Sequence, residues 1–221
     1  MKQVKYLCGL NYNFLELSPY LSAIQMKNHY EGHYLKYVSK TNKIIGQHEL
    51  IKKLYRKIKE LNIENRLMCH DIFFRCVIKH SNIFTLNKTD INMISQAYFH
   101  EIFFSGLTSH NNSISSLQLY KLKIFGSYEA FDKIYSDYIN LSTKHFSSGW
   151  IWFVYFNNKI IVVDTQDAEH PNYDLKCVLM TIDLWEHAYY TEYAYDRDEY
   201  IKKVFMLINW KIVYDKISLL A

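Results

Sequence analysis

The chain has 221 residues, a formal net charge of +4 at pH 7, 49% apolar and 17% aromatic residues, and only 6 Gly and 2 Pro. This balance excludes a disordered or collagen-like chain and provides core material for one large domain or two small ones. No apolar run reaches the length of a membrane span, and the first residues lack a basic-then-apolar leader pattern. Four scattered cysteines (Cys8, Cys69, Cys76, Cys177) form no disulfide framework, so the expected setting is a reducing one, the cytoplasm or an organelle matrix.

In chain order, Ser22-Ala23-Ile24-Gln25 reads as a capping box that opens a helix. The helix carries His29, His33 and Tyr37 at i, i+4 and i+8, on one face. Such a stripe is also what an ordinary half-buried polar face looks like. Gly32 sits inside this helix at a cost of about 1 kcal/mol. Residues 46–88 read as a helical insertion whose first part, Glu49 to Glu60, is a Lys-rich helix. Cys69, His70, Cys76 and His80 fall in it, but they match no common zinc-ligand spacing and residues 72–78 are apolar, so buried Cys is the reading adopted. The Lys run is either a solvated face or a contact for RNA or an acidic partner. Thr89-Asp90 is the expected cap of the next helix, on which His100 faces inward with Gln96 one turn before it.

The polar stretch Thr108 to Ser113 divides the chain into a helical domain, 1–110, and an α/β domain, 111–221. In the second domain a helix is expected around 126–140. Two apolar runs, Trp150 to Phe156 and Lys159 to Asp164, flank Asn157-Asn158 and predict a β-hairpin with a tight turn. Residues 177–183 predict a third, buried strand, and 197–218 one final amphipathic helix. At the exit of the third strand stand Asp183 and, four residues on, His187. A buried carboxylate there must be paired, hydrogen-bonded or metal-bound, because a bare charge is too costly. A lone buried Asp beside a satisfied His is the plainer alternative.

The whole string Asp183-Leu184-Trp185-Glu186-His187-Ala188-Tyr189-Tyr190 resembles the signature of the iron/manganese superoxide dismutases. Other segments are similar to that family in the same order: Leu10-Asn11-Tyr12 with Pro19, the His29/His33/Tyr37 helix, Gln96 to Phe104, Phe125 to Phe131, His145 to Trp152, and Ile208-Asn209-Trp210. Departures are Tyr30 and Tyr34 in place of paired histidines, Phe99 for an Asn, Phe104 for a Trp, Ser147 for a Gly, and a long spacing between His29 and His100.

The resemblance implies an α+β fold: an N-terminal long-helix hairpin followed by an α/β domain with a three-stranded antiparallel sheet. It implies metal ligation by His29, His100, Asp183 and His187, a set suited to iron or manganese with a further position for water or hydroxide. The implied activity is dismutation of superoxide to dioxygen and hydrogen peroxide. Gln96 would tune the metal through bound solvent, Tyr37 and His33 would line the approach and relay protons, and Trp150 and Trp152 would wall the site. Iron is preferred because Ala168, not a Gln, stands three residues before Pro171; a two-residue gap would put Gln166 there and favour manganese. Glu186, Tyr190 and His33 imply a homodimer. The alternative is a catalytically silent, dismutase-like structural subunit of a larger assembly such as an organellar ribosome, the one reading in which nucleic acid is a partner.

Overall fold

A computed structural model describes residues 9–60 and 66–220. Ser22 starts the first long helix by accepting from the Gln25 N–H at 3.2 Å. The capping box is only half made. The Gln25 side chain does not turn back to Ser22 but donates to the His187 carbonyl at 2.7 Å and accepts from the Thr191 N–H at 3.2 Å, while the Ser22 N–H goes to Glu192 at 2.6 Å. A residue that reads as a local cap thus ties the first helix to the C-terminal half. Helix α1 (Ala23–Lys27) continues through a π-helical stretch, Asn28–Tyr34, into α2 (Leu35–Gln47). Gly32 lies inside that wider winding, a feature that often marks functional positions.

His48 is extended and breaks the helix. Two helices of the insertion follow, α3 (Glu49–Glu60) and α4 (Arg66–Lys79). Ile51, Tyr55 and Ile58 of α3 repeat at i, i+4 and i+7 and are buried, which leaves its cations outside. The side chains of Cys8, Cys69 and His70 lie outside the described ones; Cys76 is half-buried. Helix α4 is tied to α5 (Lys88–Ser105) through Asp71, which accepts from the Tyr98 hydroxyl and pairs with Arg75 at 2.8 Å. The cap of α5 is Asn87, which accepts from the Asp90 N–H at 2.9 Å, so Thr89 and Asp90 sit in the first turn and do not precede it. Helix α5 packs back along α2 to form the hairpin. From Ile94 to Phe104 every residue is buried, because α2 covers one side and the sheet the other.

Helix α6 (His110–Phe125) is absent from the sequence reading, which took its Ser- and Asn-rich start for linker alone. Ser109 caps it by accepting from the Asn112 N–H, and Gly126 ends it at φ 79°, a conformation that favours glycine. Helix α7 (Tyr128–Lys144) occupies the stretch expected around 126–140. The hairpin is β1 (Gly149–Phe156) and β2 (Lys159–Gln166), with Asn157 and Asn158 at φ 48° and 58°, as a two-residue turn of this hand requires. With β3 (Val178–Asp183) it forms an antiparallel sheet in the order β2-β1-β3, with Trp150 opposite Asp183.

A short helix α8 (Tyr190–Tyr193) follows, and the single final helix expected over 197–218 is corrected to two, α9 (Arg197–Phe205) and α10 (Trp210–Ser218). The break between α9 and α10 has a physical cause. Leu207 accepts from the Thr108 N–H, and the Asn209 N–H donates to Gly106, both at 2.8 Å, so the chain leaves the helix to pair with the end of α5. Asn209 then caps α10. No described helix is long and apolar enough to cross a membrane.

Gly149 opens β1 where the sheet meets the loop after α7. A Cβ there would lie 2.1 Å from the Thr165 carbonyl and 2.4 Å from His145 Nε2. Gly149→Ala should therefore destabilise the protein by about 3 kcal/mol or abolish folding, because backbone must move to admit the methyl group. Urea unfolding measures this; a loss below about 0.5 kcal/mol would show that the strand yields at little cost.

Candidate metal centre

Three segments bring the site together. The π-helical stretch supplies His29, α5 supplies His100, and the end of β3 with the turn after it supplies Asp183 and His187. One ligand atom from each of these four residues lies within 4.8 Å of all the others. The three Nε2 atoms converge on a single carboxylate oxygen: Asp183 Oδ2 is 3.1 Å from His29, 3.4 Å from His100 and 3.2 Å from His187. His29, His100 and Asp183 are fully buried, and His187 nearly so.

Each ligand is oriented from behind. His100 Nδ1 donates to the Gln96 carbonyl at 2.7 Å, which leaves Nε2 as a lone pair turned into the cluster. Asp183 Oδ1 accepts from the Trp185 N–H at 2.8 Å, and the Asp183 carbonyl accepts from the Tyr200 hydroxyl at 2.9 Å. The His187 carbonyl is held by Gln25. Sequence reasoning missed Gln25 and Tyr200. Gln25 carried a local explanation as a cap, and Tyr200 sits in a polar helix with nothing to single it out.

Burial pushes the His29 imidazolium down against the pull of Asp183, and holds His100 well below the usual imidazole range. Burial alone would raise Asp183, but His187 and His29 together hold it in the ionised range. The nitrogens of His29 and His100, held neutral by burial, thus crowd with His187 around one carboxylate. His100 Nε2 and His187 Nε2 are only 3.2 Å apart, and with His100 protonated at Nδ1 the first of these has no hydrogen to give. A cation at the centre satisfies every one of these atoms. Three imidazoles and a carboxylate, without thiolate, fit iron or manganese.

The remaining candidates surround the set. His33 stacks on His187 with ring centroids 4.1 Å apart; burial, then the neighbouring His187, lowers it to about 4. The Tyr37 ring is 5.2 Å from His100, and burial followed by Asp183 raises its phenol. Trp150 stands edge-on to His100 at 5.0 Å. Trp152 lies one layer further out, against Phe99 at 4.7 Å, with its indole N–H on Thr165. Phe104 covers His29 at 4.8 Å. Gln96 is buried, and its amide donates to the Asp167 carbonyl at 3.4 Å, which also accepts from Trp185 Nε1 at 3.3 Å. Gln96 Oε1 and Trp150 Nε1 are buried with no hydrogen-bond partner among the described residues. Gln166, by contrast, is exposed at the end of β2. Glu186 and Tyr190 are exposed as well. Glu186 borders a surface that carries Phe146 at 98% and Tyr195 at 92% exposure.

The model of the iron/manganese superoxide dismutase C-terminal domain matches residues 117–216. Over 213 residues the chain is 29% identical to a superoxide dismutase [Fe] of Coxiella burnetii, covering 94% of this chain and 95% of that protein. It is 27% identical to a superoxide dismutase [Mn/Fe] of Rickettsia typhi, over 96% and 92% of the two chains. It is also 27% identical to a superoxide dismutase [Mn] of Haemophilus ducreyi, over 91% and 88%.

If the four residues form one metal centre, the purified protein should carry about one iron or manganese per chain by elemental analysis. His100→Ala should bind on the order of 100-fold more weakly and lose most of its metal, since removing a ligand costs at least as much as removing a residue behind one. Full occupancy in that variant would take His100 out of the site.

Proposed function

We propose that this chain is a member of the iron/manganese superoxide dismutase family, to which it is similar over most of its length, and that it converts superoxide to dioxygen and hydrogen peroxide as a homodimer with one iron ion per subunit. The observation that carries the reading is the convergence of His29, His100 and His187 on one oxygen of Asp183. These four residues would hold the ion. A bound iron or manganese ion supplies one-electron oxidation of one superoxide and reduction of the next.

The chain's own residues do the rest. Tyr37 and His33 are half-buried beside the ligands and line the way in. The raised phenol of Tyr37 stays protonated at neutral pH, so its Oη–H is a proton donor toward incoming substrate. Stacking on His187 fixes the plane of His33 and turns its ring to the same approach. Phe99, Phe104 and Trp150 exclude water from the other sides, which strengthens each electrostatic contact inside. Gln96 contributes the buried amide next to His100. Its Oε1 and the Trp150 indole N–H are the polar groups left for small polar ligands.

The burial of Gln96 and the exposure of Gln166 support the iron reading. Exposed Phe146 and Tyr195 beside Glu186, with Tyr190 also exposed, support the dimer, because large apolar groups this exposed gain most from a second surface. The intact ligand set speaks against the silent structural subunit.

Two experiments test this. Apoprotein reconstituted with iron should dismutate superoxide faster than with manganese. In the iron form Gln96→Leu should cut activity about tenfold or more while metal is retained. Activity of the manganese form alone, lost in Gln166→Leu and kept in Gln96→Leu, would overturn the iron assignment. Glu186→Ala should shift the sizing profile toward monomer and lower metal content together. An unchanged dimer with full metal would make Glu186 an ordinary surface residue.

A further inference from the structure

Charge on this chain is concentrated in one place. Residues 27–60 hold nine Lys and Arg against three Glu, a net +6, whereas the whole chain is +4 and the remainder therefore −2. On α2, Lys36, Lys40 and Lys43 are exposed at i, i+4 and i+7, so they form a stripe. On α3, Lys53, Arg56 and Lys57 are exposed opposite the buried Ile51, Tyr55 and Ile58. The two helices are consecutive and packed together. The carboxylates on α3 temper this in part: Glu49 lies 3.3 Å from Lys52 and 3.7 Å from Arg56, and Glu60 closes the helix.

We propose that the α2–α3 face docks the phosphate backbone of nucleic acid, without reading its sequence. A membrane surface fits less well. Helices that lie in lipid bury their apolar side in it, and the apolar stripe of α3, Ile51, Tyr55 and Ile58, is already buried against the protein at 0–5% exposure, which leaves Leu50 as the one exposed apolar residue of the helix. What α3 offers outward beyond Leu50 is charge, mostly Lys. Lys is a point charge without the planar fork that reads base edges, so the contact is electrostatic and sequence-independent. A duplex carries about one negative charge per 1.7 Å of axis, dense enough to engage successive cations of a stripe. This inference does not depend on the dismutase reading, because none of these six residues belongs to the metal centre.

The test is fluorescence anisotropy of the metal-loaded protein with two labelled 25-base-pair duplexes of unrelated sequence. Both should bind equally, and raising salt from 50 to 200 mM should weaken binding on the order of 10³-fold if six phosphates are neutralised. The triple variant Lys53→Glu, Arg56→Glu, Lys57→Glu should lose at least about tenfold affinity, with metal content and far-UV circular dichroism unchanged. Lys202→Glu, Lys203→Glu on α9 is the control and should bind as the parent does. Vesicles with phosphatidylserine should not sediment the protein. Absence of duplex binding at 50 mM salt, an equal loss in the α9 control, or tighter binding to vesicles than to duplex would each overturn the proposal.

Discussion

Everything in this molecule is arranged around one buried carboxylate oxygen. Asp183 Oδ2 accepts the approach of three imidazoles at 3.1–3.4 Å in a place with no access to bulk water. A charge so buried would be untenable alone, and His29 and His100, which burial holds neutral, do not cancel it. The cluster is of a kind that could hold a cation. The three segments that meet at Asp183 belong to different halves of the chain, so forming the site and docking the halves are one event.

The ties that enforce this are few and specific. Gln25 reaches from the first helix to the His187 turn with both ends of its amide. Tyr200 holds Asp183 from the last helices. The irregular stretch between α9 and α10 pairs with the end of α5. Each tie is a single hydrogen bond or a pair, modest in net energy, but loss of a buried partner costs more because the other group is left unsatisfied. The insertion is attached the same way, through Asp71 and Tyr98 on the side of α5 that faces away from His100. It thus adds the basic face of α3 without adding a residue to the metal set.

What was legible in the sequence follows from how each feature is encoded. The sheet was legible because apolar runs bounded by two Asn leave few other readings. The four residues that the structure gathers into one cluster stood out as chemistry-bearing groups in motifs long enough to resist chance. Helix α6 was not legible, because its start is Ser and Asn and its apolar residues follow no clear stripe. The break at Asn209 was hidden because the sequence on both sides keeps helical character, and only a partner distant in sequence, Gly106, draws the chain out. Gln25 was misread for a related reason: a cap is a local explanation, and a local explanation hides a long-range one. Propensity and spacing report neighbours along the chain, whereas these features are decided by neighbours across it.

The π-helical stretch at Asn28–Tyr34 has a consequence for how this site can change. An α-helix turns about 100° per residue, and the wider winding turns less. The stretch therefore acts as an angular spacer between two fixed surfaces, α2 on its packing partner α5 and His29 on Asp183. Loss of one residue here would not so much shorten the helix as rotate everything before it, swinging His29 away while α2 stayed seated. The aim of the first ligand is thus set separately from the packing of the hairpin, and length variation in this short stretch would be felt as a change of direction.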